Sequence, residues 1–175
     1  MPSSTHSESS RSRSTSRTAG RSTRRATAPD AISLLKADHR EVEGWFEEFE
    51  KARLASRKAD LANKICNALK VHTSIEEEIF YPAFLEATGD KDTHHEAEVE
   101  HAGAKNLIKQ IEASSPDDDY FDAKVKVLSE SIKHHVKEEE QRGGMFSEAK
   151  QSGMDLQTLG EQMKARKDEL TRQNR

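Results

Sequence analysis

The stretch Val71–Pro82, VHTSIEEEIFYP, decides the fold class because it sets charged residues into an apolar run with a helical period. His72 and Glu76 lie four residues apart, so both fall on one face of an α-helix, one above the other. The later segment HHVKEEE repeats this spacing with His135 and Glu139. Polar pairs at positions that core side chains usually occupy indicate that the helices enclose a buried site.

The first two helices follow from apolar residues that recur at spacings of three and four around this stretch. The first helix is predicted to begin after Asp30, whose carboxylate can cap free amides, and to end near residues 54–56. The second is predicted to run from Leu61 towards Pro82. The proline should bend or end it, because an interior proline removes a backbone hydrogen bond.

The remaining helices are predicted from their start and stop signals. Thr93–Glu96 has capping-box order and opens the third helix, and Ser115–Asp119 marks the start of the fourth. The segment RGG at 142–144 ends the fourth helix, and an amphipathic segment around 156–163 should dock on the outside. We therefore predict an all-α fold, an up-down antiparallel four-helix bundle with an additional short C-terminal helix.

The N-terminal residues 1–29 differ in composition from the rest of the chain. They contain six arginines and one acidic residue, Glu8, whereas the whole chain has a net charge of −4. They also lack leucine, isoleucine, valine and aromatic residues, so we predict a disordered arm that acts as a solubilising tail. Contact with nucleic acid phosphates is the alternative, although no aromatic residue is interleaved for base stacking. We divide the chain into this arm, the bundle (30–147) and a C-terminal amphipathic helix with its tail (148–175).

The compartment follows from cysteine usage and hydropathy. The single cysteine, Cys66, excludes an internal disulfide framework and fits a reducing compartment. No apolar run approaches the roughly 20 residues of a membrane helix, and no signal-peptide core follows the start. We therefore expect a cytoplasmic protein without a membrane partner.

Each of the four predicted helices carries one histidine within its apolar stripe, namely His39, His72, His101 and His135. Alone, such a histidine is more often a hydrogen-bonded core residue than a metal ligand. In an up-down bundle, however, a rise of 1.5 Å per residue places all four roughly 10–15 Å from the same end. Buried imidazoles without partners are unfavourable. A metal centre is therefore predicted, since neutral imidazole binds iron, zinc and copper.

Two glutamates extend this prediction. Glu76 and Glu139 lie one helical turn closer to the same end than the histidines four residues before them. Two carboxylates among four imidazoles suit two metal ions with bridging carboxylates, and nitrogen and oxygen donors favour iron. The neighbouring Glu77, Glu138 and Glu140 turn away from the apolar stripe and are predicted to face solvent.

Other residues in these segments have weaker signals. His94 and Glu98 also lie four residues apart, but near a helix start, so we rank this pair below the histidines of the apolar stripe. His134 is predicted to face solvent, and Cys66 is interpreted as an inert buried thiol. Tyr81 is interpreted as a packing residue that can close the end of the site.

Four motifs together resemble a known family. The segments LLKADHREVEGWFEEFE, VHTSIEEEIFYP, EVEHAGAKNLI and HHVKEEE resemble the hemerythrin-like, or HHE cation-binding, domains of bacteria. The resemblance covers roughly Ile32–Phe146, with the motifs in family order. It implies a non-haem di-iron centre. In such a centre the terminal ligands would be His39, His72, His101 and His135, and the bridging carboxylates would be Glu76 and Glu139.

The sequence also departs from the family pattern. Oxygen-carrying hemerythrins have two histidines four residues apart on the third helix, but Ala97 and Lys105 flank His101 here, so one imidazole is missing. One iron should then have a more open or water-filled coordination position, which argues against simple reversible oxygen carriage. The fourth motif has extra residues before Phe146, and the glycines at 143–144 are expected to make the loop that caps the site mobile.

These features imply a protein that binds or reacts with oxygen, peroxide or nitric oxide, in stress protection or in sensing. Whether it turns these ligands over, as a weak peroxidase or catalase, stays open at this point. One alternative is a non-enzymatic iron sensor or buffer, and another is a metal-stabilised interaction module. A bundle without metal is disfavoured because a half-satisfied polar layer is less stable than an apolar one.

Overall fold

The computed structural model describes residues 28–174, in which every regular element is helical. Predictions that concern residues 1–27, which make up most of the arm, lie outside this range. The elements are α1 (Ala31–Lys51), α2 (Ala55–Ile75), the π segment (Glu76–Phe80), α3 (Tyr81–Thr88), α4 (Lys91–Glu112), α5 (Phe121–Glu140), α6 (Met145–Gln151) and α7 (Leu156–Gln173). The predicted all-α bundle is confirmed.

Four antiparallel rods make up the bundle, and α2, the π segment and α3 together form one of them. The helix α1 packs against α2 and α5, and α4 packs against the same two neighbours. As predicted, Asp30 caps α1, since its carboxylate accepts a hydrogen bond of 3.0 Å from the amide of Ser33. The helix ends slightly earlier than predicted, because Ala52 is already extended.

Pro82 does not end the second rod, which continues to Thr88. The amide of Tyr81 bonds to the carbonyl of Glu76, five residues back, so the turn before the proline is π-helical. This wider turn gives the proline ring room beside the preceding backbone. Isolated π turns occur often at functional sites, and this one begins at a predicted site residue, Glu76.

Two predicted helix starts were wrong, because Asp90 rather than Thr93 caps α4 and because no side chain caps α5. The N-cap of α4 is Asp90, whose carboxylate accepts from the amide of Thr93 at 3.1 Å, so Thr93 lies inside the first turn. Before α5, the amide of Ser115 donates to Asp118 at 2.8 Å, and residues 115–118 form a separate turn. The helix itself begins only at Phe121.

The helix α7 is the predicted C-terminal helix, and it packs on the outside of α1 and α2. Met163, on the inner face of α7, is fully buried. A Cβ atom at Gly160 would lie 2.2 Å from the carbonyl oxygen of Pro29, so only glycine lets α7 approach the start of α1 this closely. The division predicted between residues 147 and 148 falls within α6, and the domain division stays a prediction.

The core consists of two apolar clusters on either side of a polar layer. One cluster, around Phe46, Leu61 and Leu128, fills the far half of the bundle. The other, around Leu35, Phe80 and Phe146, lies at the end where α3, α6 and α7 meet. None of the helices formed by residues 28–174 is long and apolar enough to cross a membrane.

Candidate metal centre

The polar layer brings together the six side chains that the sequence analysis singled out. All six are buried, with exposed fractions of 6% or less, and they are His39, His72, Glu76, His101, His135 and Glu139. They come from α1, α2, the π segment, α4 and α5. Their convergence is a structural finding, whereas their role as metal ligands stays a prediction.

The four imidazoles form two pairs whose Nε2 atoms face each other. The Nε2 atoms of His39 and His72 are 3.1 Å apart, and those of His101 and His135 are 3.2 Å apart. A metal ion with bonds of about 2.0–2.1 Å to nitrogen fits between two nitrogens at this separation. The arrangement therefore offers two nitrogen pairs, each within reach of one cation.

Glu76 lies between the two imidazole pairs. Its Oε2 atom is 3.3 Å from Nε2 of His72 in one pair and 3.3 Å from Nε2 of His101 in the other. Glu139 also reaches both pairs, with Oε2 3.4 Å from Nε2 of His39 and Oε1 3.6 Å from Nε2 of His135. Both carboxylates are thus positioned to bridge two cations.

The inward atoms of these carboxylates lack hydrogen-bond partners in the described part of the chain. Both oxygens of Glu76 and Oε2 of Glu139 are buried and unpartnered. Leaving a buried carboxylate oxygen unpaired costs about 1–3 kcal/mol or more. A bound cation would remove this cost, so the donor atoms present fit a metal.

Each imidazole also donates from Nδ1 to a carboxylate at the rim of the layer. His39 donates to Glu140 at 2.7 Å, His135 to Glu100 at 2.7 Å, His101 to Glu77 at 3.0 Å and His72 to Asp38 at 3.4 Å. In the neutral ring, this bond places the hydrogen on Nδ1 and leaves the Nε2 lone pair directed inward, as metal-binding histidines require.

The predictions for two of these rim carboxylates were wrong. Glu77 and Glu140 were predicted to face solvent, but each accepts a hydrogen bond from a histidine and also pairs with a cation, Lys105 and Arg40 respectively. Asp38 and Glu100 were missed altogether. The available signal was that each of them directly precedes a predicted ligand in the sequence. Their hydrogen bonds, however, are made to histidines on neighbouring rods, and the residue pattern of one helix does not reveal such contacts.

The ionisable groups of the layer have strongly shifted pKa values. Burial lowers the pKa of His39 to about 4, assisted by the charge of His72. Burial opposes protonation of His135 as well, but Glu139 and Glu100 outweigh it and raise the pKa to about 9. Burial and the charge of Glu76 raise the pKa of Glu139 to about 8. Near pH 7 the metal-free layer therefore holds protons that a cation would displace.

Tyr81 closes the end of the polar layer. Its hydroxyl group donates to Oε1 of Glu139 at 3.2 Å and lies 3.1 Å from Nε2 of His101. The residue is almost fully buried, and burial raises the pKa of the phenol well above its usual value. The phenol is therefore a protonated hydrogen-bond donor inside the layer rather than only a packing residue.

The less favoured histidines lie outside the two imidazole pairs. The Nδ1 atom of His94 is 3.7 Å from Glu98, beyond hydrogen-bond range, and its ring packs against Tyr81. The side chain of His134 is 63% exposed, as predicted, and approaches Glu100 and Glu138 at the surface.

At least two cavities among the described residues adjoin the layer. One of about 10 Å³ lies between the imidazoles and the apolar residues Val42, Leu69 and Ile132, and it can hold about one water-sized molecule. A second, of about 150 Å³, reaches His135 and Glu139 near the loop between α5 and α6. In that loop a Cβ atom at Gly144 would lie 2.0 Å from the carbonyl oxygen of Glu138, so close packing requires this glycine.

Comparisons with known proteins agree with this arrangement. The family model for the Hemerythrin HHE cation binding domain matches residues 30–142. A curated protein from Nostoc sp. that is named DNA nickase is 30% identical over 107 residues, which cover 61% of this chain and 30% of the relative. The chain therefore spans less than a third of that relative's length.

A solved structure shows the same fold. It is a hemerythrin HHE cation binding domain-containing protein from Mycobacterium kansasii, with a TM-score of 0.68 and 22% sequence identity. The match covers 81% of this chain and 87% of that chain. At this identity the likeness establishes the architecture alone. Because the family model matches well over half of the chain, the protein belongs to the Hemerythrin HHE cation binding domain family.

Proposed function

We propose that the protein binds two iron ions in the polar layer and reacts there with a small oxidant such as oxygen, peroxide or nitric oxide. The observation that supports this most is the set of unpartnered oxygens on Glu76 and Glu139, which face two pairs of Nε2 atoms. The donors are nitrogen and oxygen without any thiolate, a set that suits iron.

The roles of the six side chains follow from their positions. His39 and His72 would hold one ion, and His101 and His135 the other, while the rim carboxylates fix the imidazole tautomers. Glu76 and Glu139 would bridge the ions. Held by these six side chains, an iron pair would supply electrons to an oxidant or accept them again.

The chain itself provides a proton donor and a restricted volume. The hydroxyl group of Tyr81 points at Glu139 and His101, so it can hold a proton beside a ligand bound at the second ion. The cavity of about 10 Å³ on the other side of the imidazoles admits only a molecule about as large as water. An organic substrate is therefore excluded on that side, whereas the cavity of about 150 Å³ beside His135 and Glu139 leaves room for a diatomic molecule or peroxide.

The missing imidazole on α4 supports a more open coordination position. Lys105, one of the two flanking positions, directs its ammonium group to Glu77 at the rim. Ala97, the other, is buried and carries no donor. Neither can supply a third nitrogen to the pair formed by His101 and His135. That ion would therefore have one imidazole fewer than its counterpart in an oxygen-carrying hemerythrin.

Metal analysis and optical spectra test the proposal. Purified protein reconstituted with ferrous iron without oxygen should hold about two irons per chain and develop ligand-to-metal absorption bands when peroxide or azide is added. His135→Ala should lose iron, whereas His94→Ala, a control outside the two pairs, should retain it. Failure of the wild-type protein to take up iron would refute the proposal.

Iron sensing or buffering without turnover is the second candidate function. It is favoured by the contact between α7 and the rim of the layer, where Lys167 pairs with Asp38. Peroxide turnover no faster than that of free iron, together with a partner gained or lost on iron binding, would favour sensing. An interaction module that is stabilised by metal would also show no turnover and a partner that depends on iron.

The activity in the name of the Nostoc relative is not proposed for this chain, because the match spans only 30% of that protein. A contact between the arginine-rich residues 1–29 and nucleic acid is a separate, weaker proposal. Deleting residues 1–28 and measuring DNA binding at low salt tests it. Unchanged affinity would remove the arm from consideration.

A further inference from the structure

We infer that Lys167, on a helix outside the matched family domain, is a positioning residue for His72 and acts through Asp38. The inference rests on the proposed function, since it assigns His72 to one of the two ions. The family model ends at residue 142, and α7 begins at Leu156. The C-terminal helix would then be part of the metal centre's support rather than an appendage.

The contacts run in an unbroken line from α7 to the polar layer. The ammonium group of Lys167 donates to Oδ1 of Asp38. The other oxygen, Oδ2, accepts from Nδ1 of His72 at 3.4 Å, and the opposite ring nitrogen faces His39. Asp38 is only 7% exposed, so its negative charge has little water around it, and Lys167 is the cation that compensates it.

The other three rim carboxylates show why this pair is distinctive. Glu140 pairs with Arg40 and Glu77 with Lys105, while Glu100 lies 3.5 Å from the imidazole of His134, so each of these partners comes from a rod of the bundle. Asp38 takes its cation from α7 instead. Its bond to the imidazole is also the longest of the four. The orientation of His72 therefore depends more on an external support than that of the other histidines.

A cavity beside the pair makes this support necessary. A space of about 330 Å³ opens between α1, α2 and α7, and both Asp38 and Lys167 line it. Without the ammonium group, the carboxylate could turn towards water in this space and release Nδ1 of His72. The imidazole would then be free to rotate or to change tautomer, and either change weakens its Nε2 as a ligand.

The same helix offers a matched control. Arg166 forms a two-pronged ion pair with Glu78, at 2.7 and 3.1 Å, and its side chain is as exposed as that of Lys167. Within the described chain, Glu78 forms no hydrogen bond or ion pair with a histidine of the layer. Arg166→Met therefore removes an anchor of α7 without touching the ligands, whereas Lys167→Met removes an anchor and the cation of Asp38.

The experiment compares the affinity for cobalt, a spectroscopic substitute for ferrous iron, and the visible absorption spectrum of the cobalt-loaded protein. Lys167→Met should weaken the affinity for one of the two cobalt ions by about tenfold, which is the low end of the loss seen when a residue that orients a metal ligand is removed. The absorption bands of that cobalt ion should also change. Lys167→Arg should keep the cobalt affinity and the absorption bands of the wild-type protein. Arg166→Met should change neither, even if both Met variants lose similar thermal stability.

A double-mutant comparison completes the test. In an Asp38→Asn background, Lys167→Met should have no further effect on cobalt binding, because the relayed charge is already absent. Equal losses from Arg166→Met and Lys167→Met would overturn the inference and leave only helix docking. A wild-type protein that binds no metal would refute the proposed function instead, so the two failures are distinguishable.

Discussion

Glu76 and Glu139 each reach one nitrogen of both imidazole pairs, yet their carboxyl groups have opposite pKa shifts. Burial acts to raise the pKa of Glu76, but the charges of His72, His101 and His135 outweigh it and hold the pKa at about 2. For Glu139, burial and the charge of Glu76 prevail and raise the pKa to about 8. At pH 7 the metal-free layer thus contains one carboxylate and one carboxylic acid.

Replacing each glutamate by neutral glutamine should therefore change the stability of the metal-free protein by different amounts. Glu76→Gln removes a charge that holds the imidazoles, and we expect it to lower the free energy of unfolding by about 1–3 kcal/mol at pH 7. Glu139→Gln replaces an acid that is already neutral, so the loss should be below about 1 kcal/mol. Chemical denaturation measures both. Equal losses of unfolding free energy would contradict the assignment of the charge to Glu76. Both variants should also bind less iron than the wild-type protein.

Metal binding should release protons. Cation binding requires unprotonated donors, while His135 and Glu139, with pKa values of about 9 and 8, hold protons at pH 7 in the metal-free protein. Burial opposes protonation of His72, but Glu76 and Asp38 outweigh it and raise the pKa of His72 as well. We therefore expect about two to three protons per chain to be released at pH 7, and fewer as the pH rises through 8 and 9. A pH-indicator dye during anaerobic titration with ferrous iron measures the release.

The affinity for metal should rise over the same pH range, because fewer protons then compete. Glu139→Gln provides the control, since it cannot release the carboxylic proton. Full metal binding at pH 7 without proton release would show that the layer is already deprotonated.

The rim carboxylates should control metal affinity. Glu77 accepts from Nδ1 of His101, whereas the adjacent Glu78 pairs with Arg166 on α7. We expect Glu77→Gln to weaken metal binding by about 10- to 100-fold, the usual cost of losing a partner of a ligand, and Glu78→Gln to have little effect. Competition with a chromogenic chelator measures both. Similar affinities in the two variants would exclude a role for Glu77.

Cys66 offers a test of the far half of the bundle, which does not involve the metal centre. The thiol is 1% exposed, and burial raises its pKa to about 12. We expect a disulfide reagent to react with it slowly, with no acceleration between pH 7 and 9, and to react rapidly after unfolding. Fast reaction in the folded protein would show that the packing around Leu69 and Leu128 is looser than described.

Helical spacing explains how much of the site could be predicted. A fixed rise per residue converts sequence positions into heights along each rod, so the level shared by His39, His72, His101 and His135 followed from residue numbers and helix ends. The error at the start of α4 shifts a height by only about 4.5 Å, and the larger error at the start of α5 did not matter because the height of His135 depends on where that helix ends.

The features that the sequence did not reveal depend on contacts between rods. Asp38 and Glu100 reach their histidines across a helix interface, so no pattern within one helix marks them. The start of α5 was misplaced because Asp118 bonds back to Ser115 rather than opening a helix. Pro82 did not end its rod because the π segment makes room for it. Each error reflects a local signal that packing or a competing hydrogen bond overrides.

Anomalous diffraction at the iron absorption edge, from crystals of the reconstituted protein, tests whether two ions occupy the polar layer. We expect two peaks of similar height, one beside Nε2 of His39 and His72 and one beside Nε2 of His101 and His135, with Glu76 and Glu139 between them. A single peak, or peaks only at surface groups such as His134 and Glu138, would contradict a di-iron centre.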